Sequence, residues 1–201
     1  MQQSTRHIKA QILASLLAGS CLSGQAFAAI VHSGPVDIPI PDNLDGIYMN
    51  VVTGATGTSA GAVAGWDINP YSATGPGTHF NLWGATTTTW LSTGGVIAGP
   101  YNLAPGTEIG PPVENYFRPG GGTNLAAQMN LSSDENLLGF RFTNENTGQI
   151  HYGWVRVAFG ATIGVRSIVE YAYEDEIGQP IAAGDTGEPL PDPIFADGFE
   201  E

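Results

Sequence analysis

The side chains that perform hydrolysis are present in this sequence, but their spacing does not assemble a familiar device. No Gly-x-Ser-x-Gly string occurs, so the strained turn that exposes a hydrolase serine is missing. His32, His79 and His151 lie far apart, without a His-Glu-x-x-His pattern or other ligand spacing. His151 opens an aromatic-rich segment, where packing or hydrogen bonding is favoured over catalysis. Glu170 and Glu174 would share one strand face, roughly 13 Å apart, too far for the acid pair of a retaining glycosidase. No catalytic residue is assigned and no enzymatic activity is expected; a hydrolase acting on polysaccharide is the enzymatic alternative. Asp42, Asn43 and Asp45, closed by Gly46, place hard oxygen ligands on one turn, and Asp67 with Asn69 makes a second. Calcium is thus the one candidate cofactor, although neither turn completes a calcium loop and ordinary Asx-turn chemistry explains both as well. The remaining candidates are aromatic: Trp66, Tyr71, Trp83, Trp90, Tyr101 and Trp154 could stack on sugar rings. Most tryptophans in a chain of this size pack in the core. The ligand-binding set singled out is Trp154, Arg156, Trp90 and Tyr71. Trp154 and Arg156 fall on the strand face opposite Val155, Val157 and Phe159, and Arg156 can pair with Glu170 across to the next strand. A carbohydrate-binding module would show at least two coplanar Trp or Tyr rings on an exposed face.

The elements that must hold these residues are short strands. Glycine is abundant at 28 of 201 residues and only 12% of the chain is charged, a mixture suited to strands and turns. Gly34–Pro41 carries prolines where ladder donors are needed and is expected to be an extended lead-in or edge strand. A turn over 42–46 leads into a strand over Gly46–Val52, with Ile47, Met49 and Val51 on one face. A loop over 53–62 precedes a strand over Ala62–Ile68, and Asn69-Pro70-Tyr71 is expected to turn the chain. Strands follow at His79–Trp83, Thr86–Leu91 and Gly94–Ala98. Pro100, Pro105, Pro111 and Pro112 make 99–124 mostly loop, and Leu125–Leu131 is either a strand or one helical turn. Leu137–Thr143 alternates, Ile150–Phe159 is its return strand and Val165–Tyr173 is a third, which together predict a three-stranded antiparallel meander. Strand signals at this spacing, without a helical period, predict an all-β fold, an antiparallel β-sandwich or jelly roll over 29–186.

The ends of the chain carry addresses. Arg6 and Lys9 precede an apolar run from Ile12 to Leu22, which closes on Ala26-Phe27-Ala28. That is the pattern of a cleavable secretory signal over 1–28, too short to span a bilayer as a helix. Leu17-Ala18-Gly19-Ser20-Cys21 also approaches a bacterial lipobox, but with Ala18 where its leucine belongs, so cleavage outranks lipid anchoring through Cys21. After cleavage, four arginines face nineteen acids, a net charge of −15. Nucleic acid binding depends on neutralising phosphates, and this balance argues against it and against anionic lipid. The only cysteine, Cys21, leaves with the signal, which excludes disulfides and thiolate chemistry in the mature domain. The acidic tail over 187–201 is expected to be disordered, yet it holds an Ile194, Phe195, Asp197, Gly198, Phe199 motif unusual in a solvating tail.

Gly139–Phe142 (GFRF), His151–Val157 (HYGWVRV), Glu170–Glu174 (EYAYE) and Pro180–Thr186 (PIAAGDT), with TEIGP at 107–111, resemble a segment of exported bacterial proteins of the PEP-CTERM sorting class. The likeness covers about 107–186. Those proteins end in a Pro-Glu-Pro motif, an apolar helix and basic residues, whereas this sequence ends in PDPIFADGFEE, which is similar to tails of other exported proteobacterial proteins. The resemblance implies a secreted or surface-associated protein and supplies no catalytic residue. The expected function is therefore that of a non-catalytic, secreted surface or matrix protein, with periplasmic retention less favoured. Polysaccharide or a sorting component is the expected partner, and carbohydrate binding is the leading alternative.

Overall fold

The computed structural model describes residues 29–92 and 101–188. The export signal, the strand expected over Gly94–Ala98 and the IFADGFE motif lie outside the described residues. The fold is all-β. In chain order the strands are β1 (Ile30–His32), β2 (Ile38–Pro39), β3 (Tyr48–Met49), β4 (Thr56–Gly57), β5 (Ile68–Tyr71), β6 (Asn81–Gly84) and β7 (Thr89–Leu91). They continue with β8 (Glu108–Ile109), β9 (Phe117–Arg118), β10 (Ser133–Asn144), β11 (Gln149–Phe159), β12 (Arg166–Glu174) and β13 (Ile181–Ala182).

The predicted meander is the centre of the molecule. β10, β11 and β12 pair antiparallel and are extended on both sides into a sheet ordered β1-β12-β11-β10-β7-β9, with β2 also beside β12. Alternation puts Leu138, Phe140, Phe142, Val155, Val157 and Phe159 on one buried face. That face packs on Met49, Ile68 and Leu82, which belong to a smaller sheet ordered β4-β3-β5-β6. Two antiparallel sheets enclosing one apolar core make a β-sandwich.

A bulge re-aims part of β12. The β11–β12 register shifts between Arg156↔Glu170 and Val157↔Ile168, leaving Val169 as the extra residue. Ile168 and Tyr171 can therefore both enter the core while Glu170 stands opposite Arg156 on the reverse face. The Val169 carbonyl is not wasted: it accepts the Val36 N–H at 2.8 Å and so ties the N-terminal lead-in to the bulge.

The reverse face is also covered, which the sequence did not lead us to expect. Leu103, Ile109, Phe117, Ile181 and Ala183 form a second cluster over Leu137, Tyr152, Trp154 and Ala172. These residues come largely from 99–124, expected as loop, which in fact holds β8, β9 and a 3-10 turn over Pro111–Tyr116. β8 pairs with β13 as a small third layer. Beyond β13, Gly187 lies against Ile30, where an added Cβ would stand 3.2 Å from the Ile30 Cβ. The two ends of the described domain thus meet on this layer.

In the smaller sheet the expected boundaries shift. Ile47, Met49 and Val51 do share the core face, although only Tyr48–Met49 is ladder-bonded. The strand expected over Ala62–Ile68 begins only at Ile68, and the Asn69-Pro70-Tyr71 turn is instead strand. Pro70 is tolerated because β3 and β5 pair only at Met49↔Ile68, and beyond it only the Pro70 carbonyl is needed, accepting Ile47 N–H at 3.1 Å. The 53–62 loop contains β4 and a 3-10 turn over Ala60–Ala62, and 125–131 resolves as a 3-10 turn over Ala126–Gln128. Among the described residues no helix is long and apolar enough to cross a membrane.

Candidate ligand-binding face

The outer face of the smaller sheet collects aromatic rings. In β3, β5 and β6 the residues Met49, Ile68 and Leu82 point inward, so their neighbours Tyr48, Asn69, Tyr71 and Trp83 share the opposite face. Asn69 stands across from Trp83 and Tyr71 across from Asn81 in the β5–β6 register. Trp66, on the turn entering β5, leans over this face and meets Tyr48 edge-on, with ring centroids 4.9 Å apart at 87°. Tyr71 and Trp83 lie 6.4 Å apart at 59°. Trp83 is 54% exposed, high for a tryptophan.

These rings line a hollow of about 410 Å³ together with Leu44, Ala60 and Asn69. Trp66 and Trp83 also wall a second hollow of about 350 Å³, completed by Gly84, Ala85, Thr86, Thr88, Thr89, Pro119 and Gly120. Amide and hydroxyl groups are interleaved with the rings. Asn69 is held by donating to the Asp45 carbonyl at 2.8 Å, and Thr89 Oγ1 accepts Arg141 Nε–H at 2.8 Å. Burial, followed by the neighbouring Tyr48 phenol, raises the Tyr71 pKa above its ordinary value, so this hydroxyl stays protonated. A concave surface of aromatic faces with a few fixed polar groups can stack and orient a small polar ligand.

The residues singled out from the sequence are divided by the structure. Tyr71 lines the larger hollow. Trp90 and Trp154 are both fully buried and cannot present a ring to a ligand. Trp90 packs 5.7 Å from Phe140 in the core, and Trp154 lies beneath the third layer, donating Nε1–H to the Asp185 carbonyl at 2.9 Å. Arg156 is paired as expected, donating through Nη2 to Glu170 Oε1, with Glu135 Oε1 3.4 Å from Nη1. His32 Nε2 stands 3.2 Å from the other Glu170 oxygen. Arg156 thus serves an ion-pair group around a carboxylate that is itself only 7% exposed.

The acidic turn closes on the protein instead of opening to a cation. Asp42 Oδ1 accepts Arg166 Nη2 at 3.3 Å, and its Oδ2 accepts the Gly77 N–H. Asn43 Oδ1 accepts the N–H groups of Asp45 and Gly46 at 3.1 and 2.8 Å, an Asx turn. Asp67 Oδ2 accepts Val51 N–H at 2.8 Å. Among the described residues no group of three or more His, Cys, Asp or Glu side chains is placed to hold a metal. His151 is also structural: Nδ1 lies 2.8 Å from the Glu174 carbonyl and Nε2 3.0 Å from Thr147 Oγ1.

Trp66 and Trp83 were named among the aromatics but not singled out. The signal that could have found Trp83 is its place between Leu82 and Gly84, one inward residue and one without a side chain. Compared with family models, curated proteins and solved structures, the chain finds no match.

Proposed function

We propose that this chain is an exported, non-catalytic β-sandwich that binds polysaccharide on the outer face of its smaller sheet. The observation that carries the proposal is Trp83, half-exposed at 54% and gathered with Trp66, Tyr48 and Tyr71 on one concave surface. A large aromatic ring held open to water by a rigid strand is a costly arrangement for packing alone, and sugar rings offer C–H faces that stack on such surfaces. The coplanar pair expected of a carbohydrate-binding module is not formed by these ring pairs, which meet at 87° and 59°, so a ligand would stack on one ring at a time along this face. The secretory pattern at 1–28 and the likeness of 107–186 to exported proteins support the compartment.

The test is a polysaccharide array and affinity electrophoresis with the full chain and its Trp83→Ala variant. Retention by at least one polysaccharide is expected, weakened about tenfold or more in the variant, equivalent to about 1.4 kcal/mol. An unchanged thermal melt would show that the fold is intact, since an exposed side chain contributes little to it. Equal retention of the two proteins would exclude this face as the binding site.

A further inference from the structure

The two hollows adjoin through shared walls, and among the described residues neither is lined by a charged side chain. Trp66 and Trp83 belong to both. On one side lie Tyr48, Asn69 and Tyr71; on the other lie Thr86, Thr88 and Thr89. The second hollow exists because the 119–121 segment is drawn onto β6 through the Leu82↔Gly121 bridge. Gly120 makes that approach feasible, since an added Cβ would stand 2.3 Å from the Leu82 carbonyl oxygen.

The absence of charge from both linings is informative in a chain whose formal net charge is −13. A carboxylated or sulfated sugar would enter the field of an acidic protein, and Arg141, hydrogen-bonded behind Thr89, lies with its guanidinium over the Phe117 ring and lines neither hollow. Each hollow, at about 410 and 350 Å³, stands near the lower end of small-ligand sites, roughly 300–1,000 Å³. One sugar ring per hollow fits that size, and a longer chain would have to pass over the Trp83 edge.

Resting on the polysaccharide reading above, the geometry points to a neutral oligosaccharide of at least two residues as the ligand, its rings seated on either side of Trp83.

The experiment titrates the full chain, by calorimetry and tryptophan fluorescence, with neutral cello-, laminari- and manno-oligosaccharides of one to four residues. Oligogalacturonates of the same lengths form the charged arm. Affinity in at least one neutral series should rise about tenfold from one residue to two, the gain of about 1.4 kcal/mol expected for a second occupied hollow. Trp83→Ala, which removes the wall between the hollows, should abolish most of that gain, with the variant melting like the parent. Oligogalacturonates binding as tightly as the neutral series would overturn the neutral assignment. Long polysaccharide bound in a Trp83-dependent way, with no difference between one residue and two, would overturn the two-hollow inference and leave the binding face standing. No binding to any glycan, long or short, would remove both.

Discussion

At the residue scale the carboxylates deep in the fold govern how the protein responds to pH. Desolvation by burial, opposed in part by the Val51 N–H bond and reinforced by Glu145, pushes Asp67 up to about 7. Its folded value therefore lies above the ordinary value of 3.8, and the folded state keeps a proton that the unfolded chain releases. That contribution is fully present below about pH 4 and is lost as pH rises through about 7, at most about 4 kcal/mol in all. Asp67→Asn retains an acceptor for Val51 N–H and carries no charge. Urea melts at pH 5 and pH 8 should show the variant more stable than the parent at pH 8, by about 1–3 kcal/mol, and losing less stability between the two. A variant with the same pH slope as the parent would contradict the assignment. Glu170 makes a different case. Removing its partner by Arg156→Met leaves a carboxylate buried beside His32 alone and should cost about 2–3 kcal/mol, while the Arg156→Met/Glu170→Leu double variant should recover most of it. Denaturant melts of the two variants provide the comparison. The Arg156–Glu170 pair was legible in the sequence as two opposite charges on neighbouring strands, although it is the Val169 bulge that turns Glu170 to the Arg156 side. The fate of Trp154 was not, because one strand's alternation tells which side a residue takes and not whether that side is covered.

At the scale of elements, long strands were readable and short ones were not. Twelve residues of β10 and eleven of β11 give enough turns of the period-two pattern to fix both faces. The two-residue strands β2, β3, β4, β8, β9 and β13 carry no period at all. Their pairing is imposed by the surfaces they land on, which explains why 99–124 read as loop and yet forms half of the third layer. Strand β5 was misplaced for a related reason: Pro70 signals a turn locally, and only the one-pair contact between β3 and β5 makes it harmless. Close packing between elements is checked at Gly153 on β11. A Cβ there would stand 2.7 Å from the Ala172 carbonyl oxygen and 2.8 Å from the Phe140 ring. Gly153→Ala should therefore destabilise by about 1–3 kcal/mol through overpacking, despite the better strand propensity of alanine. Gly121→Ala, where an added Cβ meets nothing within 4 Å, is the matched control and should change the melt little. Equal losses at both positions would refute the packing explanation.

For the whole molecule, the layers run from the aromatic face through the smaller sheet, the main core and the large sheet to the β8–β13 layer. Only the middle of this order could be foreseen, since the meander declares one core face and nothing in the sequence announces a third layer. Removing 189–201 should leave the melt and the Trp83-dependent retention on polysaccharide unchanged while altering where the protein accumulates. Cell fractionation beside affinity electrophoresis measures both, and unchanged distribution would leave the tail without an addressing role. The meeting of Gly187 with Ile30 has a consequence for presentation. Ala29 and Glu188 border one hollow beside Glu174, so whatever precedes residue 29 and whatever follows residue 188 join the domain at neighbouring points. Fusion partners at either terminus should therefore be interchangeable in their effect on the Trp83-dependent retention proposed above.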